Sequence, residues 1–195
     1  MAHAIPWLQP WGKKNVHAFS PFTTAKQQTV TTIVNDIEKR IWERLEQIPD
    51  PEVPVITITE LGVVRDINLD GDKLTITITP TYTGCPAMTL FSAEIRAAMH
   101  AMGFNNLEIK TVYSPAWTTD WLTEAAREKM RRYGIAPPVK TPTNPDDLFA
   151  PPPEVPCPRC GSTHTRESSR FGSTACKALY VCDDCKEPFE YFKHF

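Results

Sequence analysis

The stretch that decides the fold is "DPEVPVITITELGVVRDINLDGDKLTITITPTYTGCPAM", residues 50–88. Its centre holds two β-rich runs on either side of Asp70-Gly71, a dipeptide that favours the tight turn of a β-hairpin. The second run alternates leucine and isoleucine with threonine, so one face of the strand is predicted to be buried and the other polar. The two prolines around Glu52 predict a rigid loop before the hairpin.

Helical patterns flank this hairpin on both sides. Apolar residues recur every three or four positions from Gln28 to Ile48, and again from Met88 to Met102. A strand, "NLEIKTVY" at 106–113, and a last helix over about 122–133 follow. We therefore predict an α+β fold in which helices pack against a small mixed sheet.

A proline-rich segment divides the chain into parts. Residues 136–154 hold too many prolines for a helix or a central strand and are predicted to form an extended linker. The linker separates an α+β domain, residues 28–135, from a cysteine-rich module, residues 155–195, that is predicted to be a zinc ribbon. Residues 1–27 are predicted to form an irregular N-terminal arm.

Four of the six cysteines form two Cys-x-x-Cys pairs in the cysteine-rich module: Cys157, Cys160, Cys182 and Cys185. Two such pairs are typical of a four-cysteine Zn²⁺ site. A module this small buries too little apolar surface to fold alone, so a structural zinc ion should supply much of its folding free energy, on the order of 10 kcal/mol. Iron in the same site is the alternative, because thiolates also suit iron–sulfur chemistry.

Cys85 is predicted to lie at the N-cap of the Met88 helix, with Pro86 in its first turn. Free amides and the positive end of the helix dipole favour the thiolate, which is the form that binds metal or attacks an electrophile. The hydroxyls of Thr81, Tyr82 and Thr83 could donate hydrogen bonds to the sulfur. The alternative is an inert cysteine that fits a small buried pocket.

Three further residues are candidates for the same site. Asp50 and Glu52 could complete it, although the alternative is a solvated turn that Asp50 caps. Cys176, six residues before the second cysteine pair, is either a transient thiol ligand or redox partner, or a small buried residue. The sequence alone does not show that any of these side chains meets Cys85.

Composition and charge exclude several classes of function. Lys and Arg number 21 against 23 Asp and Glu, a net charge of −2, which gives no basic footprint for nucleic acid. No apolar run reaches the length of a membrane span, and the first residues do not resemble a secretory signal. We expect a cytoplasmic protein with no membrane or nucleic-acid partner, whose cysteines are ligands or reactive thiols rather than disulfides.

Three signatures resemble the metal–sulfur cluster assembly domain of the SufT-like family: Asp50-Pro51-Glu52, Leu61-Gly62-Val63 and Thr83-Gly84-Cys85-Pro86. That resemblance implies that the cysteine carries iron or a cluster, with the acidic loop close to it. Two later stretches, "YSPAWTTDWLTEAAREKMRRYGIAPP" and "FGSTACKALYVCDDCKEPFEYFK", resemble the PaaD family of bacterial phenylacetate-degradation proteins. The likeness implies a link to the multicomponent di-iron oxygenase that epoxidises phenylacetyl-CoA, whose reductase carries flavin and an iron–sulfur centre.

The leading hypothesis is a non-catalytic maturation factor that assists insertion of an iron–sulfur cluster or iron into the epoxidase. Cys85 would hold the cargo transiently, and the zinc ribbon would dock the reductase or oxygenase component that receives it. The alternative is a structural or docking subunit of the complex, with tryptophans as its anchors: Trp7, Trp11, Trp117 and Trp121. An enzymatic role for Cys85 as a nucleophile is disfavoured, because the local motif holds no histidine base. A homodimer would let two Cys85 sites share a cluster, but nothing in the sequence demonstrates one.

Overall fold

The structure is a computed structural model that describes residues 36–139 and 154–193. The first segment contains helix α1 (36–45), strands β1 (Val64–Asp70) and β2 (Lys73–Ile78), helix α2 (Ala87–Ala101), strand β3 (Asn106–Thr111), a 3₁₀ turn (Thr119–Trp121), helix α3 (Glu124–Tyr133) and strand β4 (Ile135–Ala136). The second contains β5 (Thr165–Ser169), β6 (Lys177–Cys182) and β7 (Pro188–Phe192). The predicted arm, the start of the first predicted helix and most of the predicted linker lie outside the described residues.

The predicted hairpin forms the centre of the first sheet, whose strand order is β1-β2-β3. β1 and β2 pair antiparallel, with Asp70 opposite Lys73, and Gly71 makes the turn at φ +61°, a backbone conformation that favours glycine. β3 adds on the other side of β2 in parallel, so the sheet is mixed. Leu74, Ile76 and Ile78 are fully buried, as the alternation predicts.

The helices supply the rest of the first core. Ile41 and Leu45 of α1 and Phe91 and Ile95 of α2 belong to the same buried cluster as the inward face of the sheet. These residues recur at helical spacing because one face of each helix is apolar. The predicted α+β class, a small mixed sheet packed with helices, is confirmed. None of the helices among the described residues is long and apolar enough to cross a membrane.

The second sheet has the strand order β4-β7-β6-β5. β5, β6 and β7 form an antiparallel ribbon, and β4 joins its edge in parallel, with Ala136 opposite Tyr191. β4 follows directly after α3, whose end is capped by Gly134 at φ +99°. The ribbon sheet therefore includes a strand from the end of the first domain, and the predicted boundary between residues 135 and 136 falls inside that strand.

The ribbon packs on the α+β domain through buried side chains. Cys176 and Phe192 of the ribbon belong to the core cluster of the first domain, and the Phe192 ring lies edge-on to Trp117, 6.3 Å between ring centres. Trp117 is buried and its indole nitrogen donates to the Leu61 carbonyl at 2.9 Å. It therefore holds this structure together, and the proposal that Trp117 anchors an external partner is wrong.

Arg127 of α3 fixes the chain as it leaves the first domain. Although its neighbours along the helix are exposed and charged, its guanidinium is buried and donates to the carbonyls of Pro138 at 2.6 Å and Thr119 at 2.7 Å. A buried guanidinium needs such partners, because an unpaired buried charge is costly. The residues that follow β4 are thereby held against the domain.

Candidate functional site

The first candidate site is the four-cysteine cluster of the ribbon. The sulfur atoms of Cys157, Cys160, Cys182 and Cys185 all lie within 4.8 Å of one another. The Cys157 and Cys185 sulfurs are 3.7 Å apart, and those of Cys160 and Cys182 are 3.6 Å apart. Four sulfurs around one tetrahedral ion with bonds of about 2.3 Å would be separated by about 3.8 Å. The geometry fits a single metal ion held by four thiolates, since a cluster of several irons would spread its cysteines further apart.

Two matching turns shape this metal site. The residue after each pair has a positive φ, +77° at Gly161 and +65° at Lys186, so each chain curls around its sulfurs. The Cys185 amide donates to the Cys182 sulfur and, together with the Asp184 amide, lowers the pKa of Cys182 to about 7. Lowering the thiol pKa favours the thiolate that a metal ligand must be. His164 is exposed, with Nδ1 3.4 Å from Asp184 Oδ1 rather than toward the sulfurs.

The second candidate site surrounds Cys85, at the turn into α2. Gly84 adopts φ +87°, and the Cys85 amide donates to the Tyr82 carbonyl at 3.2 Å. The N-cap of α2 is Pro86, one residue later than predicted, because the fixed φ of proline already suits the entry to a helix. Cys85 therefore lies just outside the helix, and it is only about 9% exposed.

Burial dominates the chemistry of the Cys85 thiol and raises its pKa. The Ala87 amide and the Thr81 hydroxyl donate to the sulfur and lower the pKa, but the nearby carboxylates of Glu52 and Asp50 raise it further. The prediction that the helix start favours the thiolate is therefore wrong for the protein without cargo. Removal from water costs the charged sulfur more than the amide and the hydroxyl return.

The Asp-Pro-Glu loop is held in place by its own aspartate. Asp50 is buried, and its Oδ1 accepts hydrogen bonds from the amides of Glu52 and Val53, both at 2.7 Å. Burial raises the pKa of Asp50, although these two amides oppose the shift. Asp50 thus caps a buried turn, not a solvated one, and this turn presents Glu52 toward the ribbon.

Glu52 meets a thiol from the other domain. Cys176 donates to Glu52 Oε2 at 3.1 Å, its sulfur also lies 3.0 Å from Thr174 Oγ1, and burial raises the pKa of Cys176 to about 12. The adjacent Lys177 is buried, and its ammonium donates to the Glu52 carbonyl at 3.1 Å and to Glu190 Oε2 at 2.8 Å. The carboxylate loop of the first domain is therefore tied to the ribbon at two consecutive residues.

Tyr82 links the two thiols. Burial and the charges of Cys85, Glu52 and Cys176 together raise the pKa of Tyr82 to about 12, because its hydroxyl lies near all three groups. Thr83, by contrast, is exposed, and the buried Thr81 donates to the Cys85 sulfur in its place.

The structure brings four candidate residues into one neighbourhood and leaves one at the surface. Cys85, Asp50, Glu52 and Cys176 lie together, whereas Thr83 does not join them. The result is a closed, largely protonated site of soft sulfur and hard oxygen donors. Such a donor set can bind a thiophilic metal once the thiols lose their protons.

Comparison with known proteins covers both domains. Residues 38–107 match the model of a family described as iron–sulfur cluster assembly proteins, and residues 141–193 match the PaaD zinc beta ribbon domain. An Escherichia coli protein whose name makes it a component of 1,2-phenylacetyl-CoA epoxidase is 51% identical over 85% of this chain and 98% of its own length. The chain belongs to the PaaD family.

More distant relatives of this PaaD-family chain match its first domain. The Fe-S protein maturation auxiliary factor YitW of Bacillus subtilis is 36% identical over 50% of this chain and 88% of its own length. The crystal structure of a domain of unknown function, DUF59, from Bacillus anthracis is 25% identical with a TM-score of 0.46, covering 49% of this chain and 92% of its own.

Sequence reasoning missed one residue of this PaaD-family site and left another choice open. Lys177 was missed because nothing local marks it as buried, and its partner Glu190 lies 13 residues further along the chain. The three hydroxyls of the Thr81–Thr83 stretch were all candidates, but only the structure distinguishes the one that donates to the sulfur.

Proposed function

We propose that this protein is a non-catalytic maturation factor for the phenylacetyl-CoA epoxidase system of aerobic phenylacetate degradation. In this proposal it holds iron or an iron–sulfur cluster transiently at Cys85 and passes it to the reductase or the oxygenase component. The observation that carries the proposal is the enclosed Cys85 thiol beside the Asp50–Glu52 loop, in a domain that matches iron–sulfur cluster assembly proteins. The names of the relatives, an epoxidase component and maturation auxiliary factors, support the two halves of the proposal.

The enclosure of the site suits transient carriage of a metal cargo. Thiolates bind iron well, and a site shielded from water protects a cluster from hydrolysis and oxidation. Because the pKa of Cys85 is raised, the thiol recovers its proton when cargo leaves, which favours release over permanent retention. The same raised pKa argues against a nucleophilic enzyme, since catalytic cysteines have lowered pKa values.

Zinc is the ion that we assign to the ribbon in this proposal. Cys157, Cys160, Cys182 and Cys185 would hold it, and four thiolates in tetrahedral array are the usual ligands of structural Zn²⁺. The ion would keep the ribbon folded against the α+β domain, where Cys176 and Lys177 contact Glu52. Its role is therefore structural, and the cargo belongs to the other site.

The test is maturation of the epoxidase in cells that lack the endogenous protein. Reductase and oxygenase components are co-expressed with the wild-type protein, with Cys85→Ser, or with Glu94→Gln, an exposed control on α2. We expect wild type and the control to give reductase with a full iron–sulfur content and an active epoxidase, and Cys85→Ser to give reductase depleted of its cluster or oxygenase depleted of iron. Full loading with Cys85→Ser would overturn the proposal.

The docking alternative makes a different prediction in the same cells. A structural subunit should co-purify with the finished complex at fixed stoichiometry, and Cys85→Ser should leave both cluster content and activity unchanged. A maturation factor should instead be absent from the finished, active complex.

A further inference from the structure

Cys176 belongs to the ribbon in sequence but to the first domain in space. It lies one residue before β6, is only 3% exposed, and packs in the core cluster that also contains Cys85. Its position is set from both sides: its carbonyl accepts a hydrogen bond from the Lys193 amide at 2.9 Å, and its thiol donates to Glu52. The ribbon thus places a second thiol at the wall of the Cys85 site.

A merely space-filling cysteine would not need these partners. Its sulfur contacts a carboxylate oxygen at 3.1 Å and a hydroxyl at 3.0 Å, both of them polar groups at a buried position. The carboxylate belongs to Glu52, whose charge also acts on Cys85, and both thiols act on Tyr82. Two thiols and one carboxylate therefore converge from the two domains.

We propose that the cargo site is completed across the domain boundary, with Cys85, Cys176 and Glu52 as joint ligands of a thiophilic divalent metal ion or of the iron of a cluster. This inference rests on the proposed function for the identity of the cargo, but the ligand set is tested separately. The zinc ribbon then does more than dock a target, because it contributes one of the two sulfurs.

Charge balance is consistent with such a site. Two thiolates and one carboxylate carry three negative charges, which a divalent ion and the adjacent ammonium of Lys177 together neutralise. On binding, each S–H bond breaks, an S–metal bond forms and the proton leaves to solvent, so no group is oxidised or reduced. Among the described residues, the sulfurs of the ribbon are the set that already lies within 4.8 Å, so the Cys85 set closes on its ion by side-chain rotation.

The experiment uses Co²⁺ as the probe, added anaerobically to full-length protein whose ribbon is first loaded with zinc. Thiolate ligands give Co²⁺ an intense ultraviolet charge-transfer absorption that grows with the number of sulfurs bound. Wild type is compared with Cys85→Ser, Cys176→Ser and Glu52→Gln. The double variant Cys85→Ser/Cys176→Ser gives the baseline from any exchange of cobalt into the ribbon. Zinc content and melting temperature check that each variant is folded.

With two sulfur ligands, each single cysteine variant should lose about half of the wild-type absorption above the baseline. Glu52→Gln should keep the absorption but bind cobalt at least about tenfold more weakly, because a charged ligand is lost. If Cys85→Ser removes the absorption while Cys176→Ser leaves it unchanged, Cys176 is not a ligand and this inference fails, although Cys85 remains the carrier. Wild type no different from the double variant would also overturn it. The maturation test in cells then judges the proposed function independently.

Discussion

The buried ion pair of Lys177 is the tie whose loss should be felt most strongly, and Lys177→Met removes it while keeping the length of the side chain. The side chain of Lys177 is 4% exposed and that of Glu190 is 24% exposed, with Nζ and Oε2 2.8 Å apart. Breaking a fully buried pair costs about 3–5 kcal/mol, and the partial exposure of Glu190 reduces this toward about 2–3 kcal/mol. With a urea dependence of roughly 2 kcal/mol per molar, the unfolding midpoint should fall by about 1–1.5 M.

The assay is urea denaturation of the zinc-loaded protein, with Lys73→Met as the matched control. Lys73 pairs with Glu108 at 2.7 Å, but both side chains are 51% exposed, so the control should leave stability almost unchanged. Equal midpoints for Lys177→Met and Lys73→Met would refute the argument that the buried pair ties the ribbon to the first domain.

The pH dependence of this effect has a defined sign. Burial alone would raise the pKa of Glu190, but hydrogen bonds from Lys177 and Ser173 outweigh it and leave the pKa below its ordinary value. A lowered folded-state pKa gives stability that is present above the unfolded-state pKa and is lost as the pH falls through the folded-state pKa. The difference between wild type and Lys177→Met should therefore be full near pH 7 and shrink below about pH 4.

Three further predictions concern the two thiols and the packing of the domains. Since burial raises the pKa of Cys85, alkylation by iodoacetamide, followed by mass spectrometry on zinc-loaded protein, should be slow at pH 7.5 and still rise above about pH 9; a plateau below about pH 8 would contradict this. Cys182→Ser should lose zinc and unfold the ribbon, which would make Cys176 react with iodoacetamide much faster; unchanged reactivity would show that zinc does not hold the ribbon in place. Phe192→Ala should cost about 3–5 kcal/mol, because its ring is enclosed between the domains; a loss below about 1 kcal/mol in urea denaturation would argue against that contact.

Much of the fold could be predicted from local patterns in the sequence. The Asp70-Gly71 turn, the alternation around Ile76 and the helical spacing through Phe91 each depend on residues close together in the chain. The cysteine pairs likewise predict a metal site, because their spacing is itself the geometric requirement. These features are local, so one sequence suffices to identify them.

The assembly of the Cys85 site could not be predicted in the same way. Glu52 and Cys176 are separated by 124 residues, and no periodicity relates them. The thiolate expectation for Cys85 failed because the helix terminus is visible in sequence, whereas the burial that outweighs it depends on the packing of the whole molecule. The choice between Thr81 and Thr83 likewise depends on the particular turn that Gly84 makes.

Anaerobic reconstitution with iron and sulfide tests the central claim most directly. Wild type and Cys85→Ser, both with zinc in the ribbon, are treated in parallel and analysed for zinc, iron and acid-labile sulfide. The account predicts equal zinc in the two proteins, with iron and sulfide retained by wild type alone. Equal iron and sulfide in both, or none in either, would contradict the claim that Cys85 holds the cargo.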